Sequence, residues 1–336
     1  MNLTLPPTNL RGRKRTNALA VFGKGLTAFS SSLDLGFKIS SRGWCYIFEN
    51  HGFITKSEFA RVEKVINDCR KLGLIDPKFT ADDSARSAVG VESLDYDDPS
   101  KEAKWLFDAV IEGRIENYTP RSFWEELDIY IEIVVEKIDL VGLFEPLARK
   151  YHIPITNARG WADINSRIDL GRRMVAHKES RKIVLYCADH DPAGLFIESA
   201  FAKNLDDIKL ATGWTPNEDP SFSVHRFGLN FEFIQENQLS WIDNLETSSG
   251  KDLADPRHKS HLTYRVPEYI NQFGARKVEA NALVVNPAAG RELLESAIRI
   301  YIPDSYVEAY ESARSMMQTE LRAEVVSYAQ QLGAQQ

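Results

Sequence analysis

The stretch Ile129-Tyr-Ile-Glu-Ile-Val-Val-Glu-Lys137 decides the fold. Through Val135 it is β-branched and nearly all apolar, which is how a strand buried on both faces reads. Outward from it the pattern alternates, with a helix over 138–150, a short strand over 153–156, a helix over 164–178, a strand over 182–187 and a helix over 194–203. This alternation predicts an α/β fold with a mainly parallel, Rossmann-like sheet flanked by helices. In such sheets chemistry gathers beyond the carboxyl ends of the strands.

Acidic groups stand at two of those ends. Glu136 follows the first strand, and Asp189-His-Asp-Pro-Ala-Gly194 follows the third. Asp189 and Asp191 alternate within a tight turn, so both carboxylates can face one point, and Glu136 reaches it if its strand neighbours theirs. Three hard oxygen ligands from strand ends suit Mg²⁺, which takes a few carboxylates and retains part of its water. Without a cation, their mutual repulsion and desolvation would cost on the order of several kcal/mol. A lone Asp-x-Asp also caps helices and shapes turns. The glutamate at a second strand end, in this order, makes the signal more specific.

Upstream, residues 1–32 hold Pro6-Pro7, the cluster Arg11-Gly-Arg-Lys-Arg15 and a serine run, and read as a basic flexible arm. Arg11, Arg13, Lys14 and Arg15 there are either a solvated tail or contacts to DNA phosphates. Residues 33–125 read as a winged-helix-like DNA-binding domain with a linker. Thr55 and Glu58 form a capping-box signature, Phe59, Val62, Ile66, Cys69 and Leu72 recur at helical steps, and Gly73 stops the helix. Arg61 and Lys64 lie on the opposite, basic face, as DNA-contacting residues of a helix-turn-helix would; a solvated helix of any small bundle is the other reading. The linker begins near residue 78, is punctuated by Asp95-Tyr-Asp-Asp-Pro99 and Tyr118-Thr-Pro120, and carries one helix over 101–112. Residues 126–336 form the sheet domain, with a C-terminal elaboration that ends in a helix over 304–332.

The 336 residues are 43% hydrophobic and 26% charged, the composition of a globular protein. Net charge is −7, from 41 basic and 48 acidic residues, which mildly disfavours a polyanionic partner. Binding is decided locally, however, within a Debye length of about 8 Å. The three cysteines, Cys45, Cys69 and Cys187, have no metal-like spacing and predict reduced thiols, no zinc site and a cytoplasmic location. No apolar run approaches bilayer-spanning length, so no membrane association is expected.

The run Val134-Val-Glu-Lys137 followed by Ile183-Val-Leu-Tyr-Cys-Ala-Asp-His-Asp-Pro-Ala-Gly194 resembles a Toprim domain. More narrowly, it is similar to the DNA topoisomerase VI A subunit and the meiotic double-strand-break transesterase. In that family the glutamate and the Asp-x-Asp pair hold Mg²⁺, which implies that role for Glu136, Asp189 and Asp191. Ala158-Arg-Gly160 resembles the family's glycine-containing segment after the second strand. A winged-helix domain precedes Toprim in the family, with an Arg-x-x-aromatic-Tyr pattern whose tyrosine attacks DNA. Ser41-Arg-Gly-Trp-Cys-Tyr46 keeps the arginine and the tyrosine but places Cys45 at the aromatic position. Val224-His-Arg-Phe-Gly-Leu229 and Val278-Glu-Ala-Asn-Ala-Leu283 look like the C-terminal half of compact bacterial and phage members.

The resemblance implies a type IIB topoisomerase-like enzyme, nucleoid-associated, that cuts double-stranded DNA through Tyr46 and leaves a 5′-phosphotyrosyl end. It further implies a homodimer in which Tyr46 of one chain meets the metal of the other, and a separate GHKL-type ATPase B subunit for strand passage. A phenol has an ordinary pKa near 10 and needs help to attack a phosphodiester. Arg42, one helical turn before Tyr46, supplies a cation on the same face, and Glu136 moves a proton. Two other readings stay open: a Toprim nuclease of the plasmid- or phage-defence kind using metal-activated water, with Tyr46 structural, and a DNA-binding relative without activity.

Overall fold

The apolar run forms β1 (Ile129–Val135), buried along its whole length. β2 (Ile155–Asn157) pairs with one side of it and β3 (Arg181–Cys187) with the other; β4 (Phe222–Gly228) adds to β3, so four parallel strands stand in the order β2-β1-β3-β4. In the computed structural model, residues 3–33, 35–81, 98–157, 164–177, 180–247 and 250–334 are described. Ile133 lies opposite both Ile155 and Leu185, and Val135 opposite Cys187. A central strand covered on both faces must be apolar on both, which explains the unbroken β-branched run. The chain adds β2 on one side of β1 and then β3 and β4 on the other. The topological switch point therefore falls between the carboxyl ends of β1 and β3, where Glu136 and Asp189 emerge.

The helices, in chain order, are α1 (Gly12–Leu33), α2 (Ser41–Asn50), α3 (Phe59–Lys71), α4 (Pro99–Leu106), α5 (Gly113–Glu116), α6 (Ile138–Lys150) and α7 (Ile164–Ala176). They continue with α8 (Pro192–Leu195), α9 (Ile197–Asp206), α10 (Lys209–Thr212), α11 (Phe231–Glu236), α12 (Val266–Phe273), α13 (Pro287–Arg299) and α14 (Asp304–Ala334). The helix expected over 194–203 is two, α8 and α9, separated at Phe196. β4 was not anticipated. It lies at a sheet edge, where Ser223, His225 and Arg226 remain partly or fully exposed and dilute the apolar signal.

The chain forms two compact units, Met1–Asp82 with Ile129–Ile298, and Asp83–Asp128 with Arg299–Gln336. This differs from the expected boundaries at 32/33 and 125/126. The first 32 residues are not an arm: α1 begins at Gly12 with the basic cluster at its start and buries Leu19, Phe22, Leu26 and Phe29. Phe22 and Phe29 pack on Phe48 of α2, at 6.4 and 6.1 Å between ring centroids. The capping box is present in both halves at Thr55 and Glu58, and Gly73 takes φ +65° after α3, which favours glycine. Leu72, expected on the apolar face, is exposed at the end of α3.

These helices join the sheet unit through buried polar contacts. Asp139, 1% exposed at the start of α6, accepts from the Ser40 hydroxyl at 2.6 Å and from the Ser40 backbone N–H, and Ser40 in turn caps α2. Among the described residues before Asp82 there are helices and no strand, so the wing of a winged helix is not seen there. The second unit is built from α4, α5 and α14. The Tyr306 hydroxyl donates to the Phe123 carbonyl at 2.6 Å, and the Tyr310 hydroxyl donates to the Arg121 carbonyl at 2.9 Å. The segment expected as a linker is thus, from residue 98 on, one half of a packed unit. Residues 95–97 and Ala158–Gly160 lie outside the described residues. Among the described residues no helix is long and apolar enough to cross a membrane.

Candidate functional site

Glu136 leaves β1 hydrogen-bonded to β3, its N–H donating to the Cys187 carbonyl at 3.0 Å. Its Oε2 accepts from the Asp189 N–H at 3.1 Å. Lys137 Nζ donates to Asp189 Oδ2 at 2.8 Å and to Glu136 Oε1 at 3.2 Å, and the Ala280 N–H donates to Asp189 Oδ1 at 2.7 Å. Asp191 caps α8, with Oδ1 accepting from the Gly194 N–H at 2.7 Å. Gly194 is required here, because a Cβ would collide with the Asp189 carbonyl oxygen. Arg226 on β4 braces this turn, donating to the Gly194 carbonyl at 3.1 Å and to the Leu229 carbonyl.

Between the two aspartates, His190 turns into an aromatic pocket, with Phe273 at 4.8 Å and Trp241 at 5.6 Å between centroids. Burial pushes it down to about 4, so it stays neutral and serves to anchor the turn. Asp189 is pushed up to about 7, first by burial; Lys137 opposes this, and the charges of Glu136 and Asp191 add to it. Asp191 is raised as well, by burial and then by Glu136. Burial works against the Lys137 ammonium, but Asp189 and Glu136 outweigh it and hold the charge. The strand ends therefore do bring negative charge together. Among the described residues, though, no three His, Cys, Asp or Glu side chains converge as a ready-made metal-ligand group. Hard carboxylate oxygens with surplus negative charge still suit Mg²⁺ by donor type.

Tyr46 sits close to this cluster. It is 2% exposed, and its Oη donates to Glu279 Oε2 at 2.7 Å. Arg42 lies 3.5 Å from Glu279 Oε1 and 3.8 Å from Glu63, with its guanidinium 4.9 Å from the Phe59 ring centroid and 5.9 Å from that of Tyr46. The expected Arg42–Tyr46 proximity is therefore present. Burial, then the charge of Glu279 and the hydrogen bond to it, pushes the Tyr46 phenol above its ordinary range against the pull of Arg42. For Glu279, burial raises the carboxyl, but the Tyr46 hydrogen bond and the charges of Arg42, Lys137 and Lys277 outweigh it and leave it below the usual range. A neutral phenol thus rests against an ionised carboxylate. Residues 279 and 280 tie the two clusters together, Glu279 holding Tyr46 and the Ala280 N–H holding Asp189. Glu279 and Lys137 were assigned no role from sequence. The only signal was position, beside Glu136 for one and inside Val278-Glu-Ala-Asn-Ala-Leu283 for the other.

The basic residues separate into two sets. Arg11, Arg15, Arg61 and Lys64 line one surface hollow of about 460 Å³ with Pro6, Thr8 and Val65. Arg15 pairs with Asp68, and Arg61 donates to the Pro6 carbonyl at 2.7 Å and to Glu58 at 3.2 Å. Lys64 is exposed, as are Arg13 and Lys14, which stand at the start of α1 outside the lining. Comparison with protein-family models, with curated proteins and with solved structures found no match.

Proposed function

We propose that the chain is a DNA-cleaving enzyme of the topoisomerase VI A type, with a Toprim sheet and a winged-helix-like group of helices, in which Tyr46 attacks a phosphodiester. The observation that carries this reading is the link through residues 279 and 280 between a buried phenol and the strand-end carboxylates. Bound at Glu136, Asp189 and Asp191, Mg²⁺ would supply positive charge beside the scissile phosphate. The chain's own residues do the rest. Arg42 holds a phosphate oxygen, Tyr46 Oη bonds to phosphorus as its proton passes to Glu279, and the P–O3′ bond breaks, the departing 3′ oxygen taking a proton from solvent. Glu279, rather than Glu136, is the acceptor aligned for the phenol proton, at 2.7 Å and oriented by Arg42. The hollow lined by Arg11, Arg15, Arg61 and Lys64 contributes phosphate contacts that the net charge conceals. Tyr46 acts in this proposal beside the carboxylates of its own chain, not those of a partner as the resemblance implies; a homodimer that cuts both strands and a separate ATPase subunit belong to it as well.

The 2% exposure of Tyr46 favours one rival, a Toprim nuclease in which the tyrosine only packs. Denaturing supercoiled DNA after incubation with the chain and Mg²⁺ separates the two. Under the transesterase reading, protein is covalently attached to 5′ ends and Tyr46→Phe abolishes it. Cutting by Tyr46→Phe at the unsubstituted rate, with free ends, establishes the nuclease instead.

A further inference from the structure

We infer that Lys137 is the built-in counter-ion of the Glu136 and Asp189 carboxylates, and that a divalent cation enters this site by displacing its ammonium. Lys137 thereby sets the cation affinity. The inference rests on the metal reading proposed above and goes beyond it.

The oxygen accounting carries the argument. Glu136 Oε2 is committed to the Asp189 N–H at 3.1 Å, and Asp189 Oδ1 to the Ala280 N–H at 2.7 Å. Both donors are backbone groups fixed by the strand ends and the residue 279–280 segment, and giving either up would leave a buried N–H unpaired. The remaining oxygens, Glu136 Oε1 and Asp189 Oδ2, both accept from the same Lys137 Nζ, at 3.2 and 2.8 Å. On Glu136 and Asp189 they are the two positions a cation can take without disturbing the fold, and one flexible ammonium fills the point between them. Lys137 thus holds Glu136 and Asp189 as an ion pair, while Asp191 Oδ1 is occupied at the α8 cap. The Lys137 side chain is 23% exposed, so its head has a way out toward water.

The test titrates MgCl₂ alone into the full chain by calorimetry, without DNA. Lys137→Met removes the competitor and is expected to bind Mg²⁺ about tenfold more tightly or better, since a charge a few ångströms away is worth that much even at high effective dielectric. Lys137→Gln repeats the measurement with a polar replacement. A third readout needs no substitution: acetylation of Lys137 by an N-hydroxysuccinimide ester, followed by mass spectrometry, rises several-fold when MgCl₂ is added. Equal or weaker Mg²⁺ binding by Lys137→Met, or unchanged Lys137 acetylation while Asp189-dependent Mg²⁺ binding is present, overturns the inference and leaves the metal reading standing. Absence of Asp189-dependent Mg²⁺ binding in both the unsubstituted chain and Lys137→Met overturns both.

Discussion

Replacing Glu279 by Gln isolates the proton-accepting role from the packing role. Gln is isosteric, so its amide oxygen can still accept from Tyr46 Oη at the 2.7 Å geometry, and the T-shaped contact of Tyr46 with Phe59, at 5.1 Å, is untouched. The interaction with Arg42 at 3.5 Å is lost, but that guanidinium is 38% exposed, so the loss is within about 1 kcal/mol. The amide cannot take a proton. General-base help is worth roughly a hundredfold or more, about 3 kcal/mol of barrier. Removing the carboxylate charge also lets the phenol ionise more easily, because that charge is a large part of what raises it. Covalent attachment to DNA 5′ ends by Glu279→Gln should therefore be about a hundredfold slower at neutral pH and recover part of the deficit as pH rises. The assay is a single-turnover time course of attachment across pH, beside a thermal melt of the same preparation. An unaltered melt with attachment within threefold of the unsubstituted chain at neutral pH refutes the role given to Glu279.

Two further outcomes test the surrounding framework. Arg173→Ala leaves Glu132, 0% exposed in the middle of β1 and bound by Arg173 at two distances of 2.8 Å, as an uncompensated buried charge. The cost is about 3 kcal/mol, at the low end for a broken buried pair because Arg173 itself is 38% exposed, and a thermal melt should show it. The double replacement Glu132→Gln with Arg173→Met should recover most of it, and a silent Arg173→Ala contradicts the placement of the pair. For the basic hollow, Lys64→Ala should lower the slope of log affinity for duplex DNA against log salt by about 1, with no sequence dependence. An unchanged slope removes Lys64 from the DNA contact.

What could be read ahead of the structure was what the backbone alone determines. β1 and α6 fall on the expected residues because a doubly covered strand and the amphipathic helix after it leave local patterns. Topology then places their neighbours, which is why the strand-end acids met at the β1–β3 edge. The elements missed were those whose stability comes from elsewhere in the chain. α1 carries its buried face on Leu19, Phe22, Leu26 and Phe29, spaced among Gly, Ser and Thr, and is completed by α2 aromatics. The pairing of residues 98–128 with α14 rests on tyrosine hydroxyls reaching carbonyls 183 and 189 residues away, which no window on the sequence contains. Glu132 was absorbed into an apolar strand because its compensating charge is 41 residues off.

The same division holds at the site. The positions of Glu136, Asp189 and Asp191 follow from strand ends, whereas the charge state of Asp189 depends on its burial, on Lys137 and on the Ala280 N–H, a reach that is tertiary. A carboxylate cluster legible in sequence therefore says where a cation would be wanted. It does not say what stands there in its absence. In this chain an ammonium does, between Glu136 Oε1 and Asp189 Oδ2, and under the proposed metal reading the affinity of the site would be a difference between two cations, not the strength of one.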